Sequence, residues 1–506
     1  MQRDGALTSL WQYKMPEYIS QTNLTSKDVY DALIVGGGIT GITTALLLQK
    51  AGKKCILCEA KTIGFGTSGG TTAHLNTLMD TPYYMIEKSF GEDNAQLVAK
   101  VARQAINLVM KNIAEYNIDC EFSEQPGYLF SQDKKQSDEL QKILEASKKA
   151  GCEIQYSDTI PVNIDFDKAV VFQTQAQFHP AKYFYALAKA FEEDGGTLIQ
   201  SCRVTGVKEN DVLTIESTEG KISARQMIYA THIPPGVNLL HFRCAPYRSY
   251  AMAIKLKDKK YPDGLVYDMY DPYHYYRTQV VDGEKFLIAG GEDHKTAHEE
   301  NTEACFTKLE SYFRKYFDIE EITFRWSSQY FEPVDGLPYI GHLPGHPDNI
   351  FVATGFGGNG ITYSQVAALV LSDLIVKGES QYEKLFNPNR IKPVAGFTNF
   401  VKESADVVGI LAGKWFSSSK IRELGDLAKG EARVVKYEGE SVALYKDKDG
   451  NFHAVDPACT HIKCVVSWNN AEKTWDCPCH GSRFSMDGEM LTGPARKDLN
   501  KVELKK

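Results

Sequence analysis

The sequence predicts an α/β nucleotide-binding domain that includes an antiparallel sheet, followed by a small all-β domain. Three observations lead to this prediction. The apolar run YDALIV (30–35) leads directly into glycines and a helical pattern, and segments of alternating polarity fill 245–330. Beyond about residue 418, short β-prone stretches alternate with turn signals such as KDKDGN. A strand, a glycine turn and a helix in this order are typical of a βαβ unit with a parallel sheet.

Composition limits the function classes. The 506 residues allow two to four domains at about 100–200 residues each, and 43% hydrophobic with 24% charged residues is an ordinary globular balance. The net charge of −8 argues against a polyanion ligand, so we expect no nucleic-acid partner. A run of about 18 uncharged apolar residues is missing, as is a signal-peptide core, which predicts a soluble, cytoplasmic protein without a membrane span.

The first glycine cluster has the spacing of a dinucleotide-binding turn. The motif consists of Gly36, Gly38 and Gly41, with Ile39 and Thr40 at the start of the following helix. Glu59 ends the next apolar run, where a carboxylate can bind ribose hydroxyls. A glycine turn without a ligand is the alternative, but the strand before it, the helix after it and the acidic residue favour a nucleotide.

A second glycine cluster, TGFGGNG, places Gly355, Gly357 and Gly360 before another helical pattern. The sequence after that helix lacks a strand with a terminal acidic residue, which argues against a second nucleotide. A helix amino terminus directed at a flavin ring is the better interpretation, because its dipole stabilises negative charge on a reduced flavin.

These motifs, in this order, resemble the D-amino acid oxidase superfamily of FAD-dependent oxidoreductases, in particular the glycine and sarcosine oxidase-like members. The resemblance covers about residues 30–380. It rests on VGGGITG with Glu59, GFGTSGGTTAH (64–74), FHPAKYFYAL (178–187), YATH (229–232), DGLPYIG (335–341) and ATGFGGNGI (353–361).

The resemblance implies FAD contacts in four places. The turn after Glu59 would contribute Thr67, Ser68, Thr71 and Thr72, although a polar turn without a ligand is the alternative for the last two. Val204 would contact adenine through its backbone, and Ala230 and Thr231 would flank the diphosphate. The segment that would cap the flavin ring consists of Gly357, Gly358, Gly360, Ile361 and Thr362.

The substrate site departs from the pattern of family members that act on α-amino acids. Those proteins often carry an arginine shortly before the Asp-Gly-x-Pro motif, whereas WSSQYFEPVDG has Gln329 and Tyr330 there. A bidentate grip on a carboxylate needs a guanidinium, which Arg248 or Arg277 would have to supply from another strand. Further candidates for the substrate site are His274, Tyr276, Tyr330 and His294. Sheet packing is the alternative for the alternating aromatic residues, and the sequence does not identify a catalytic base.

The cysteines divide into two groups. Seven of the 11 are scattered over the first 400 residues, which is typical of reduced, buried thiols. Cys55 and Cys58 form a CxxC pair, but residues i and i+3 of a strand point to opposite faces, which favours core cysteines. The other four lie close together near the C-terminus, which indicates a metal site.

Two short motifs in the C-terminal region each supply one thiolate and one imidazole. They are Cys459-x-His461 and Cys477-x-x-His480. Tetrahedral zinc is the alternative, but zinc fingers pair cysteine with cysteine and histidine with histidine along the chain. One cysteine and one histidine on each loop is the pattern of a Rieske [2Fe–2S] cluster, in which one iron binds two thiolates and the other two histidines.

CTHIKC, CPCHGSRF and GPA (493–495) resemble Rieske proteins of the cytochrome bc-complex type, over about residues 420–506. This resemblance implies a disulfide between Cys464 and Cys479 that braces the cluster loops. It also implies that Ser482 hydrogen-bonds the cluster and raises its reduction potential. Phe484 replaces the usual tyrosine, so we expect an intermediate potential.

Together the motifs predict an FAD-dependent oxidoreductase, a dehydrogenase in mechanism, that acts on CH–NH or CH–NH₂ groups. A small amine or amino-acid-like substrate would reduce FAD, and single electrons would pass through the cluster to an external acceptor. Two alternatives stay open: an electron-relay module in which an external reductant feeds FAD and the cluster serves a partner enzyme, and a redox sensor. We predict an N-terminal extension (1–29), the FAD-dependent domain (30–385), a linker with a helix (386–419) and the Rieske domain (420–506).

Overall fold

The computed structural model describes residues 1–24, 29–390, 419–420 and 426–504. Up to residue 200 the elements are β1 (Val29–Val35), α1 (Ile39–Lys50), β2 (Cys55–Cys58), β3 (His74–Leu75), α2 (Tyr83–Phe90), α3 (Glu92–Tyr116), β4 (Ser123–Ser131), α4 (Lys134–Lys149), β5 (Ile154–Ser157), β6 (Lys168–Gln177), α5 (Pro180–Glu193) and β7 (Thr197–Ile199). They continue with β8 (Val204–Lys208), β9 (Leu213–Ser217), β10 (Gly220–Tyr229), β11 (Cys244–Leu256), β12 (Leu265–Tyr267), β13 (Tyr275–Val281), β14 (Glu284–Lys295), α6 (Thr302–Phe313), β15 (Ile319–Pro333), β16 (Tyr339–His342), β17 (Ile350–Thr354), α7 (Gly360–Lys377) and α8 (Glu383–Phe386).

The first sheet is built around parallel strands in the order β17-β10-β1-β2-β7, with β16 antiparallel at one edge and β9 and β8 added beside β10. β1 pairs with both β2 and β10 in parallel register. The carboxyl ends of these three strands therefore meet at one edge of the sheet, as the glycine motif predicted. Helices α1, α5 and α7 pack together beside this sheet.

The second sheet has nine strands in the order β15-β11-β14-β13-β12-β4-β6-β3, with β5 beside β6. Its pairs are antiparallel except for β12 with β4, which confirms the predicted antiparallel sheet. β4 lies between helices α3 and α4, in a stretch with a largely helical pattern. Its sequence, SEQPGYLFS, contains a proline and a glycine, so pairing with β6 rather than local propensity stabilises this strand.

Helix α7, Gly360–Lys377, is long and apolar enough to cross a membrane by length and composition, the one such helix in the described part of the chain. Within its most apolar window, 67% of the residues are buried inside the protein, where the helix packs against α1 and α3. Core helices of globular domains pass the same test of length and composition.

The C-terminal domain consists of two four-stranded sheets, which confirms the predicted all-β class. The first contains β18 (Ser419–Lys420), β19 (Ala432–Tyr437), β20 (Glu440–Lys446) and β21 (Phe452–Val455). The second contains β22 (Ser467–Asn469), β23 (Thr474–Asp476), β24 (Arg483–Ser485) and β25 (Met490–Thr492). The predicted helix in the linker falls on 391–418, outside the described residues, and the domain boundaries stay predictions.

Candidate flavin and iron-sulfur sites

The glycine loop follows β1 at the edge where the strand ends meet. Gly36 has φ +112°, and a β-carbon on it would lie 2.5 Å from the carbonyl oxygen of Ala230. A β-carbon on Gly41 would lie 2.0 Å from the Gly36 carbonyl oxygen. This turn into α1 therefore requires glycine at both positions. Glu59 follows β2 and accepts a 2.6 Å hydrogen bond from the N–H of Gly37, which holds its carboxylate beside the loop.

An elongated cavity extends from this loop to the start of α7. Most of the predicted FAD contacts line it: Gly36, Gly38, Ile39, Thr40, Glu59, Thr67, Ser68, Thr71, Val204, Ala230, Thr231, Gly357, Gly360 and Ile361. The first residues of both α1 and α7 are among them, and helix amino termini favour anionic groups such as a pyrophosphate or a reduced flavin. A β-carbon on Gly66 or Gly360 would meet no atom within 4 Å, so the lining has open space there. These residues fit FAD.

The remaining predicted contacts, Gly41, Thr72, Gly358 and Thr362, do not line the cavity. The carbonyl oxygen of Thr72 accepts a 2.7 Å hydrogen bond from Arg277 Nε. The N–H of Gly358 donates to Asp80 Oδ2 at 2.6 Å, and the hydroxyl of Thr362 donates to the Asn76 carbonyl oxygen at 2.9 Å. Their polar groups thus bind protein atoms that surround the cavity.

Three carboxyl groups lie together behind the lining at the α7 end of the cavity, on Asp80, Asp293 and Glu332, and none of the three is itself a lining residue. A β-carbon placed on Gly357 would lie 3.3 Å from Asp80 Oδ2 and 3.5 Å from Glu332 Oε2. Tyr330, a predicted substrate-site residue that does line the cavity, donates its hydroxyl hydrogen to Asp293 Oδ2 at 2.8 Å. The end of the cavity where the flavin ring is expected is therefore acidic.

The electrostatics of this end favour a cation. Removal from water, together with the charge of the neighbouring Asp80 carboxylate, raises the pKa of Glu332 to about 8 and that of Asp293 to about 7. Among the described residues that line the cavity, the one guanidinium belongs to Arg203, which lies at the opposite end beside Val204. Although burial opposes it, hydrogen bonds to Asp268 and Glu292 raise the pKa of His274 to about 9, and its charge lowers the pKa of Asp293, so His274 partly neutralises this group from outside the lining.

His274 and Tyr276 lie on the face of the second sheet that packs against α6, away from the cavity. The His274 ring stacks on Tyr312 with 3.6 Å between centroids, and Tyr276 packs on Phe313 at 5.5 Å. Side chains alternate between the two faces of a strand, so their neighbour Tyr275 points the other way and hydrogen-bonds Ser249 at 2.9 Å. Neither side chain lines the cavity, so a role for His274 or Tyr276 in the substrate site stays a prediction.

Neither candidate arginine lines the cavity. Arg277 is fully buried and donates to backbone oxygens, including that of Phe178 at 3.3 Å. Arg248 is fully buried at the contact between the two domains. His294 bonds the hydroxyl of Tyr250 through Nε2 at 2.9 Å and also lies outside the cavity lining. A guanidinium for a substrate carboxylate does not come from these positions, because their hydrogen bonds hold both side chains inside the protein.

The predicted iron ligands meet at one end of the C-terminal domain: Cys459, His461, Cys477 and His480. The two thiols hydrogen-bond each other, and the two imidazole centroids lie 5.0 Å apart. The Nδ1 atom of each histidine is buried without a hydrogen-bond partner in the described part of the chain. The chain alternates cysteine and histidine, whereas the fold pairs thiol with thiol and imidazole with imidazole. This pairing fits a Rieske [2Fe–2S] cluster, whose two irons bind different ligand types.

A disulfide joins Cys464 and Cys479, the pair implied by the Rieske resemblance, with 6.5 Å between Cα atoms. Their sulfur atoms and that of Cys477 all lie within 4.8 Å of one another. Two of these three sulfurs are bonded to each other and are not thiolate ligands, so the group is not a separate metal site. The disulfide instead connects the loops that carry the predicted ligands.

Ser482 connects the cluster loops to the flavin cavity. Cys477 and, to a smaller extent, Ser482 lower the pKa of the Cys459 thiol, which places the Ser482 side chain beside that predicted ligand. The Ser482 hydroxyl oxygen accepts a 3.0 Å hydrogen bond from the N–H of Ala495. Ala495 lines the flavin cavity, so the two predicted cofactor sites share a wall.

Buried ion pairs join the two domains. Arg248 Nη2 lies 3.2 Å from Asp476 Oδ2, and Arg483 lies 3.2 Å from Asp476 Oδ1 and 2.5 Å from Asp4 Oδ2. All four side chains are at most 5% exposed. Buried charges are stable only when they are paired, so this network specifies one docking geometry. Asp4 adds the N-terminal segment, which lies along the predicted flavin turn and donates from its N–H to the Phe65 carbonyl oxygen at 3.2 Å.

The sequence analysis missed the three acidic residues of the cavity. Asp293 lies in the GGEDHK stretch, where His294 drew the prediction, and Glu332 lies in the segment searched for an arginine. A search for acidic as well as basic residues there would have found both. Asp80 lies in a loop between β3 and α2, and no sequence motif marks it as a site residue. The CxxC cysteines are core residues as predicted: Cys55 and Cys58 are both free and buried.

Comparisons with known proteins assign each of the two domains to a family. The model of the family described as FAD dependent oxidoreductase matches residues 31–374, and that of the Rieske [2Fe-2S] domain matches residues 417–503. Over 477 residues the chain is 35% identical to YhfW of Bacillus subtilis (strain 168), whose name describes a Rieske 2Fe-2S iron-sulfur protein. That match covers 94% of this chain and 93% of YhfW.

Two further matches cover the first domain. Gamma-glutamylputrescine oxidoreductase of Escherichia coli (strain K12) is 24% identical over 391 residues, which is 73% of this chain and 89% of that protein. The structure of glycine oxidase from Geobacillus kaustophilus aligns with a TM-score of 0.59 at 18% identity, over 72% of this chain and 99% of the other. The FAD-binding domain thus has the fold of glycine oxidase. The chain belongs to the FAD dependent oxidoreductase family and carries a C-terminal Rieske [2Fe-2S] domain.

Proposed function

We propose that this protein oxidises a small cationic amine at a CH–NH or CH–NH₂ group and passes the electrons singly through the Rieske cluster to an external acceptor. The observation that carries the proposal is the group of three carboxyl side chains, Asp80, Asp293 and Glu332, at the flavin-ring end of the cavity. FAD, when bound, supplies the chemistry of accepting a hydride from a C–H bond next to nitrogen.

The acidic end of the cavity supports an amine without a carboxylate close to the reacting nitrogen. A substrate carboxylate there would meet like charges, whereas an ammonium would meet opposite ones. Tyr330 lines the cavity, and tyrosine faces attract cations. The relative from Escherichia coli is named for gamma-glutamylputrescine, which is an amine, and this supports the same class of substrate.

The same carboxyl groups can remove the proton of an ammonium ion. Hydride transfer from carbon needs the unprotonated nitrogen lone pair, while a small aliphatic amine binds mainly as a cation near neutral pH. Carboxyl groups with pKa values raised to about 7 for Asp293 and about 8 for Glu332 accept a proton in this range. One carboxylate can therefore hold the charge of the substrate while another takes its proton.

The shared wall between the two sites supports electron transfer within one chain. Ser482 lies beside the predicted cluster ligand Cys459 and hydrogen-bonds the cavity residue Ala495, so the path from cavity to cluster is short and lies inside the protein. A Rieske cluster exchanges one electron at a time, which implies an external acceptor or redox partner that removes each electron in turn.

The test is anaerobic mixing of the holoprotein with matched pairs of compounds, with flavin and cluster absorbance followed together. We expect N-methylethylamine to reduce both centres, and sarcosine, which replaces a methyl group by a carboxylate, to react about 100-fold more slowly or not at all. Faster reduction by sarcosine would overturn the proposed substrate class. Reduction by a pyridine nucleotide or a partner protein alone, with no response to amines, would favour the electron-relay alternative.

A further inference from the structure

One side of the flavin cavity is formed by the Rieske domain. Five residues of its segment 490–495 line the cavity: Met490, Leu491, Thr492, Gly493 and Ala495. They lie across from Arg203 and Val204, at the end where adenosine is expected. The hydroxyl oxygen of Thr492 is buried there without a hydrogen-bond partner among the described residues, so it is available to a ligand in this cavity.

Hydrogen bonds to the first domain hold this segment at both ends. Arg203 Nη2 donates to the carbonyl oxygen of Met490 at 3.1 Å. The N–H of Gly236 donates to the carbonyl oxygen of Pro494 at 2.8 Å. The segment therefore has a defined position along the cavity, from the predicted adenosine end to the loop that follows β10.

We propose that segment 490–495 is part of the FAD site, so that FAD is held between the two domains. The family match for FAD binding ends at residue 374, and this proposal adds a wall from the Rieske domain. The segment would cover the adenosine and pyrophosphate half of the cofactor, while the residues around Gly357 contact the ring.

Two consequences follow for the cofactor. FAD dissociates when the Rieske domain moves away, and the buried pairs of Asp476 with Arg248 and Arg483 oppose that movement. Docking of the Rieske domain and retention of FAD are therefore coupled, because each stabilises the arrangement that the other requires. This coupling does not depend on the identity of the substrate, so it stands or falls independently of the proposed reaction.

A steric variant tests the proposal directly. A β-carbon on Gly493 would have one neighbour, the carbonyl oxygen of Ala495 at 3.9 Å, so the backbone accepts a side chain and Gly493→Phe projects it into open space. We expect FAD affinity to fall about tenfold or more, while iron content and cluster absorbance stay at the wild-type level and show that the domain is folded. The matched control is Lys497→Phe, at an exposed position that lies two residues beyond the segment and does not line the cavity.

A second measurement uses the unmodified chain and does not depend on how a variant folds. Hydrogen exchange of the backbone amides in 490–495 is compared between FAD-loaded and FAD-depleted protein. We expect exchange of these amides to slow on FAD binding. In a separate experiment on a variant, we expect Asp476→Asn to release FAD about tenfold faster than wild type, because the substitution weakens docking of the Rieske domain. Equal exchange in both forms, or wild-type FAD affinity in Gly493→Phe, would overturn the proposal.

Discussion

The Nε2 atom of His461, a predicted cluster ligand, lies 3.0 Å from the carbonyl oxygen of Gly236 in the FAD-binding domain. A carbonyl oxygen accepts, so Nε2 carries the hydrogen and Nδ1 is left as the basic nitrogen. Nδ1 is buried and has no hydrogen-bond partner among the described residues, so its lone pair is available to bind iron. The first domain therefore orients a ligand of the second, which is how metal ligands are commonly positioned.

The first prediction concerns the ligands themselves. Replacing Cys459 with Ser removes one of two thiolates from a single iron, and we expect the variant to lose the whole cluster because the two irons share bridging sulfides. Iron and acid-labile sulfide analysis would fall from about two each per chain to about zero. Cys244→Ser, which changes a buried free cysteine of the first domain, is the matched control and should keep its cluster. One zinc per wild-type chain in place of iron would contradict the assignment.

The second prediction concerns the acidic end of the cavity. Glu332→Gln keeps the shape of the side chain and removes the negative charge that Glu332 carries above its raised pKa of about 8, so we expect the Kd of a cationic amine, measured at about pH 9, to rise about tenfold. Titration of flavin absorbance with the amine under anaerobic conditions measures the change. Glu379→Gln, at an exposed position beyond α7, should leave the Kd unchanged. An unchanged Kd in Glu332→Gln would show that the carboxyl group does not face the substrate.

The third prediction is a pH dependence from the same carboxyl groups. Their pKa values are raised, to about 7 for Asp293 and about 8 for Glu332, so both are neutral in acid and gain charge as the pH rises through these values. A small amine stays cationic over this range. The rate constant for flavin reduction at low amine concentration should therefore increase between about pH 6 and 9. The upper step should disappear in Glu332→Gln, and a profile that falls with pH would contradict the prediction.

The fourth prediction concerns the disulfide between Cys464 and Cys479. It closes a loop with a sequence separation of 15 residues, for which the loss of unfolded-state entropy is worth about 3 kcal/mol. The double variant Cys464→Ala/Cys479→Ala should lower the free energy of unfolding of the Rieske domain by about this amount. Loss of cluster absorbance in denaturant, without reducing agent, measures it. If both cysteines of unfolded, unreduced wild-type protein react as free thiols, the disulfide is absent.

The fifth prediction concerns the reduction potential of the cluster. Ser482 lies beside Cys459 and lowers the pKa of its thiol, so it stabilises negative charge there and favours the reduced state. Ser482→Ala should therefore lower the potential in a spectroscopic redox titration. Phe484 is buried in the same core as Cys459 and Cys477, and Phe484→Tyr, which restores the usual hydroxyl, should raise the potential. Unchanged reduction potentials in both variants would contradict this interpretation.

Where the sequence analysis succeeded, the signal came from residues close together in the chain. The turn at Gly36 and Gly41 needs glycine because the backbone of neighbouring segments leaves no space for a β-carbon, and this requirement is visible in a seven-residue motif. The same holds for the Cys-x-His and Cys-x-x-His motifs of the C-terminal domain. For His274 and Tyr276 the alternation of side chains predicted a strand, but it did not predict which of the two faces of that strand meets the cavity.

By itself the sequence determined the two-domain class, the family, and the cofactors that the family binds. This was possible because tight turns and metal ligation require particular residues at fixed, short spacings, which can be recognised without knowing the rest of the fold. Only the tertiary structure decided that Asp80, Asp293 and Glu332 meet, and that the Rieske segment 490–495 forms a wall of the flavin cavity. These contacts join segments separated by hundreds of residues, and their formation depends on strand order and domain docking, which no local pattern encodes.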